Sequence, residues 1–272
     1  MKRAIASAAK TGALLAGAAF FAFPFYWMFA TAMKSEVDAF AMPPRWVFAP
    51  TFGNFISVIR ETDLLARMGN SFVTASASVI LTLALAFPAA YSMSRFGVGG
   101  RKLLMWLLSI RMLPPIVAAI PLFLVAAQLR ITDRLFILPI LYLTFNLPFA
   151  VWMLKSFVDE VPKEIDETAR VDGCTTRKIL WFLILPLTRP GILATGVFVF
   201  ALSWNEFLLA SIFTQRYAVT LPVSIASFVT DQGVLWGLLT AAGTLASIPP
   251  IVLLFVFQRN LIRGLTLGAV KG

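Results

Sequence analysis

Two charged residues, Arg111 and Glu206, lie within stretches otherwise apolar enough to cross a membrane, and a third set of charges crowds residues 159–178. Each invites a different chemistry. A charge at mid-membrane depth costs about 2.5–3.5 kcal/mol on insertion scales, so such groups face a bundle interior or a wetted cavity. Trp204 and Asn205 run directly into Glu206. An aromatic face, an amide and an acid together can stack on a sugar ring and bond its hydroxyls, lining a translocation pathway. The same trio also fits an interfacial aromatic belt with a wetted acid. Glu206 lies 17 residues beyond Arg189, about 25 Å along a helix, which puts it near the far boundary of its crossing. Arg111 reads as a pathway group, or as a side chain that snorkels to the nearer surface, because Met112 to Leu129 is almost long enough to cross alone.

Other chemistries drop out by composition. With no His and a single Cys, Cys174, the chain cannot assemble a His/Cys metal site, an internal disulfide or a His-based triad. No catalytic residue and no metal ligand is expected. A G-x-x-x-x-G-K-[ST] loop is also missing, so nucleotide-driven work needs a partner chain to hold the phosphates.

The elements that position these residues follow from hydropathy. Of 272 residues 59% are hydrophobic and 13% charged, against about 45–50% and about 25% in soluble domains. Mean hydropathy is +0.85. A helix needs about 20 apolar residues to cross about 30 Å of hydrocarbon. Six intervals qualify, at about 11–33, 70–94, 103–128, 135–154, 190–213 and 233–257. Exposed irregular backbone is not viable in lipid, so all six are expected as helices of one membrane-spanning bundle at 11–257, flanked by tails at 1–10 and 258–272. The first interval follows a basic start and precedes Ala39-Phe40-Ala41, yet 23 uncharged residues exceed a signal-peptide core of 7–15, so it is expected to stay as a span. Pro114, Pro115, Pro121, Pro139 and Pro148 release backbone carbonyls in spans three and four, and kinks are expected there.

Placing the N-terminus in the cytoplasm puts sixteen Lys and Arg on that side and seven on the other. The acids divide six and seven, so the whole net charge of +10 lies on one face, which suits anionic lipid. No continuous basic patch for nucleic acid results. Both termini are expected on the cytoplasmic side. The long outer loop 34–69, with Pro43-Pro44 and Pro50, suits an ordered surface or a mere connector.

The inner loop 155–189 differs in kind. Residues 159–191 read DEVPKEIDETARVDGCTTRKILWFLILPLTRPG. Pro162 and the acids Glu164, Asp166 and Glu167 favour a helix start, and Gly173 stops it. A helix over about Lys163 to Val171, amphipathic through Ile165, Ala169 and Val171, is too short to span and is expected flat on the cytoplasmic surface. A second helical stretch through Ile179, Trp181 and Phe182 then meets Pro186, which bends the entry to span five. Such a projecting knob suits a partner's groove.

Glu167-Thr168-Ala169, then Gly173 after three residues, then Leu183-x-Leu185-Pro186 after nine more, resembles the EAA loop of ABC importer membrane subunits. Thr168 departs from that pattern, which has Ala. Asn70-Ser71, Pro114-Pro115, the run from Trp204 to Phe207 and the tail from Gly264 to Gly272 resemble the carbohydrate-uptake, maltose-type branch. The resemblance implies an all-α polytopic membrane protein: six transmembrane helices with a cytoplasmic coupling helix, the type I importer permease fold. It implies a second homologous permease, two copies of an ATPase that hold ATP and Mg, and a periplasmic or extracellular solute-binding protein; this chain binds no cofactor. Glu164, Glu167, Thr168, Ala169, Asp172, Gly173, Leu185 and Pro186 would couple to the ATPase. Within that set Glu167 would meet a basic residue, Ala169 would pack on the cleft floor and Gly173 would permit the turn. Gly268, Lys271 and Gly272 would reach toward the ATPase dimer. A stand-alone secondary carrier would instead need internal repeats and a midplane carboxylate, and an intramembrane enzyme a nucleophile and base at one depth; neither pattern is found.

Overall fold

The computed structural model describes residues 2–267, with side chains from 10 to 258. Gly268, Lys271 and Gly272, expected to reach the ATPase, lie outside the described residues. Four helices are long and apolar enough to cross a membrane, and two bent helix pairs bring the number to six if each pair counts as one span. The chain divides into two compact units, residues 1–66 with 224–248 and residues 67–223 with 249–272.

The first unit opens with α1 (Lys2–Ala32), whose side chains from Lys10 are apolar all round and almost wholly exposed. A helix of that kind is made for hydrocarbon rather than for a water-facing surface. Two short helices follow, α2 (Glu36–Ala39) and α3 (Gly53–Arg60), so the 34–69 loop is ordered. Asn54 on α3 secures the end of α1, its amide donating to the carbonyls of Ala32 and Lys34 at 2.9 Å each. The carbonyl of Ala32 is among the last of α1, which lack a partner within the helix. Lys34 is buried, its ammonium 4.4 Å from the Trp27 ring centre and 5.2 Å from that of Phe48.

The helix α4 (Leu64–Arg95) carries the chain into the second unit without a break. The interval 103–128, expected as one crossing, is two helices, α5 (Gly100–Met112) and α6 (Pro115–Gln128), bent by 84°. Pro114 forces Leu113 out of the helical region, to φ −69° and ψ 133°, and Pro115 begins the next helix. Next comes α7 (Ile137–Asp159), buried along much of its length, with Pro148 inside it. The surface helix α8 (Lys163–Val171) has the bounds that its capping pattern predicts.

Beyond it, α9 (Thr176–Lys178), a π-helical turn (Ile179–Ile184) and α10 (Leu185–Leu187) run together. Pro186 lacks an N–H and its ring crowds the carbonyl four residues back, so the ladder widens and Leu185 N–H donates to Leu180, five back. The elbow expected at Pro186 falls at Thr188, where the chain turns 78° into α11 (Arg189–Trp204). Span five, expected unbroken to 213, stops at Trp204 and resumes as α12 (Leu208–Phe213). There follow α13 (Leu221–Ala226), strands β1 (Val229–Thr230) and β2 (Gly233–Val234) paired antiparallel, and α14 (Trp236–Leu267). That two-residue ladder is the only β structure among the described residues.

Two apolar clusters hold the second unit together. One joins Phe87, Ala90 and Tyr91 of α4, Val151, Leu154 and Val158 of α7, Ala169 of α8, the π-turn and Val199 of α11. The other joins α6, the start of α7 and α12 around Tyr142 and Phe213. The Phe157 ring of α7 lies directly on Gly191 of α11: a Cβ there would stand 2.2 Å from Cγ of Phe157.

Candidate functional site

The residues expected to engage an ATPase divide by the face of α8 that carries them. Glu164, Glu167, Thr168, Asp172 and Gly173 are exposed. Gly173 has φ +77°, a conformation glycine adopts without steric cost, and its N–H donates to Arg170 while that of Cys174 reaches back to Ala169. The turn is the one expected of Gly173. Pro186 is exposed and Leu185 half-buried. Ala169, however, is 7% exposed and packed into the core of its own chain. It seats α8 and offers nothing to a partner's floor. Val171, expected on the apolar face, is 87% exposed.

The unexpected member of the inward face is Asp166. Its carboxylate accepts from Tyr91 Oη at 2.8 Å and from Arg95 Nε at 2.9 Å, and both side chains of the Arg95–Asp166 pair are 3% exposed. Arg95 Nη2 also donates to the carbonyl of Val161 at 2.8 Å, ahead of α8. Ser94 Oγ donates to Asp159 Oδ1 at 2.5 Å, and Lys155 pairs with the same carboxylate. Removing two charges from water is costly, and the hydrogen bonds to Tyr91 and Val161 are what make this burial tolerable. Asp166 and Ala169, three residues apart, thus form the seat, while Glu164, Glu167 and Thr168 face outward. Nothing local marks Asp166 as inward: its partner lies 71 residues earlier in the chain.

The pathway residues do not form one site. Trp204 is 3% exposed and stacked on Phe200 at 5.6 Å with 16° between ring planes, so its face is taken. Asn205 is exposed and donates to the carbonyl of Ala201. Glu206 turns inward beside Tyr142 and accepts from the N–H groups of Leu209 and Ala210 at 2.8 and 3.0 Å. Once the helix breaks after Trp204, those first amides of α12 need an acceptor, and Glu206 supplies it. It acts as a cap on α12.

The Arg111 guanidinium stacks 4.8 Å over the ring of Phe149 on α7. Phe149 is five residues short of Leu154, where the expected crossing 135–154 ends, about 8 Å along the helix. Arg111 is exposed on its chain.

At the end of the unit away from α8, Asp133 gathers a loop. Its carboxylate accepts from the N–H groups of Gln215, Arg216, Tyr217 and Ala218 at 3.0 to 3.2 Å. Burial raises its pKa, but the amides of Tyr217, Ala218, Gln215 and Arg216 outweigh that and hold it at about 2. A depressed carboxylate stabilises above its ordinary value of 3.8, and that contribution fades as pH falls toward 2. Asp133→Ala should raise hydrogen exchange at the 215–218 amides by about tenfold or more at pH 7, the effect of orphaning donors at about 1–3 kcal/mol each. Exchange unchanged from the parent would mean the carboxylate does not order the loop.

Comparison with known proteins agrees with this architecture. The family model described as "binding-protein-dependent transport system inner membrane component" matches residues 80–267. A probable ABC transporter permease of Sinorhizobium fredii is 39% identical over 92% of this chain and 90% of its own. The diacetylchitobiose uptake system permease of Streptomyces coelicolor is 34% identical over 92% of each. The trehalose/maltose transport system permease of Thermococcus litoralis is 34% identical over 92% and 91%. Among solved structures, a chain of a bacterial ABC transporter that imports alginate superposes with a TM-score of 0.76 at 18% identity, over 95% of this chain and 97% of that one. A surface helix with exposed acids, seated on a membrane bundle, is what a transport subunit driven by a separate ATPase needs, and this chain belongs to the binding-protein-dependent inner membrane components, the permease subunits of ABC importers.

Proposed function

We propose that the chain is one of two homologous permease subunits that together carry a sugar or sugar-like solute inward across the bacterial cytoplasmic membrane. Two copies of an ATPase, holding ATP and Mg, drive it from the cytoplasm, and a solute-binding protein delivers the sugar from outside. Both termini, the inner loop 155–189 and α8 lie on the cytoplasmic side, in keeping with the sixteen basic residues that this topology collects there. The sugar assignment draws on the solutes for which the relatives are named. Lipid surrounds α1, and Arg111, stacked on Phe149 and exposed on its own chain, is the pathway group among the four considered.

One observation carries the coupling role. Helix α8 holds its inward face by a buried ion pair and leaves Glu164, Glu167 and Thr168 exposed on a rigid base. A surface held so firmly and pointed outward suits the transfer of force better than a mobile loop. The ATPase contact can be tested on the assembled transporter with Cys174→Ser and Glu167→Cys. A thiol crosslinker is expected to join that position to the ATPase chain, with a yield that changes between nucleotide-free and vanadate-trapped states. Crosslinks only to lipid-facing or external proteins would refute the docking role.

A further inference from the structure

Polar ties hold both ends of α4, through a buried ion pair at one and side-chain to backbone hydrogen bonds at the other. At the α8 end, Tyr91 and Arg95 bind Asp166, Arg95 binds Val161, and Ser94 binds Asp159. At the other end, Arg67 donates to the carbonyl of Arg216, Asn70 to those of Tyr217 and Val219 at 2.8 and 2.9 Å, and Ser71 Oγ accepts from Leu221 N–H at 2.8 Å. The loop so held is the one whose amides Asp133 collects, so its N–H groups are gripped from one side and its carbonyls from the other. Asn70 and Arg95 are 25 residues apart on one helix, which continues through Pro88, about 38 Å along its axis. Between them α4 packs through Phe87, Ala90 and Tyr91 into the larger apolar cluster. Both ties, and the helix from Arg67 onward, belong to the same compact unit.

We propose that α4 is a strut. Tyr91 and Arg95 lock it to the coupling helix through Asp166, and Arg67, Asn70 and Ser71 lock it to the 214–221 loop. Displacement of α8 therefore shifts a loop on the opposite membrane face in the same movement. Arg95, Asp166, Asn70 and Ser71 are positioning residues: they need touch neither nucleotide nor solute. The proposal rests on the reading of α8 as the element that an ATPase drives. Packed helices and buried ion pairs move as bodies rather than deform continuously, which is what lets a small push cross the bilayer.

The test uses the full transporter in lipid nanodiscs, with Cys174→Ser and an environment-sensitive fluorophore on Tyr217→Cys, a position 73% exposed. In the parent, vanadate trapping with ATP is expected to change the emission. In the apolar triple variant Tyr91→Phe, Arg95→Met, Asp166→Met, hydrolysis should persist while the nucleotide-dependent change falls at least about fivefold, the lower end of ordinary coupling free energies. The variant Asn70→Ala, Ser71→Ala should lose it to a similar extent from the other end, and it serves equally if the triple variant fails to assemble. A merely structural role would lower yield but leave the response of assembled complexes intact. Equal responses in parent and variants, or no response in a hydrolysing parent, would overturn the strut while sparing the coupling role. Failure of the chain to assemble with any ATPase would instead overturn the function on which it rests.

Discussion

Solute uptake by a transporter carrying Glu167→Lys is expected to fall at least about 100-fold, because opposing like charges across an interface costs several kcal/mol. The side chain is exposed and makes none of the contacts that seat α8, so insertion, yield and thermal stability should match the parent. Glu167→Gln, which keeps shape without charge, should lie between the two. Uptake into proteoliposomes gives one axis and ATP hydrolysis by the same preparation the other. The expected signature is loss of transport with the permease pair still assembled and hydrolysis no longer matched to solute delivery. Parental uptake in the Lys variant would show that α8 meets its driver elsewhere, or not at all.

The second large effect concerns stability. Arg95→Met on its own leaves the Asp166 carboxylate at 3% exposure without its ion-pair partner, still accepting from the Tyr91 hydroxyl. Breaking one side of a buried pair typically costs about 3–5 kcal/mol, whereas exchanging the whole set for apolar groups of similar volume is often neutral. The single variant should therefore give low yield and early thermal aggregation in detergent, and adding Tyr91→Phe and Asp166→Met should restore most of both. If the single variant melts with the parent, water reaches the pair and the tie is weaker than its geometry implies. The two predictions separate cleanly, since Glu167 and Asp166 are neighbours in sequence but face opposite ways.

That opposition marks the limit of what the sequence discloses. The bounds of α8 can be read from Pro162, the early acids and Gly173, all local signals. Its facing cannot, because an acid among acids reads as solvent-directed and Ala169 is too small to weigh against it. Only Arg95, far along the chain, makes the inward turn of Asp166 affordable in energy. The break after Trp204 has no Gly or Pro to announce it, so Glu206 looks like a charge in the middle of a span until the orphaned amides of α12 are seen. The bend between α5 and α6, by contrast, is written in Pro114-Pro115, although its 84° is not. Asp133 offers no periodicity or motif to flag it; its role exists only once residues 215–218 fold over it.

The widened turn before Pro186 has a consequence for engineering. Each extra residue in a helix rotates everything beyond it by about 100° and advances it by about 1.5 Å. By accommodating one more residue per turn at Ile179–Ile184, the chain resets the azimuth of the segment leading into α11 relative to the cytoplasmic knob. Grafting a knob from another subunit onto this one therefore requires matching angular phase as well as length, and an indel of a single position between Lys178 and Thr188 would aim the graft at the wrong neighbour.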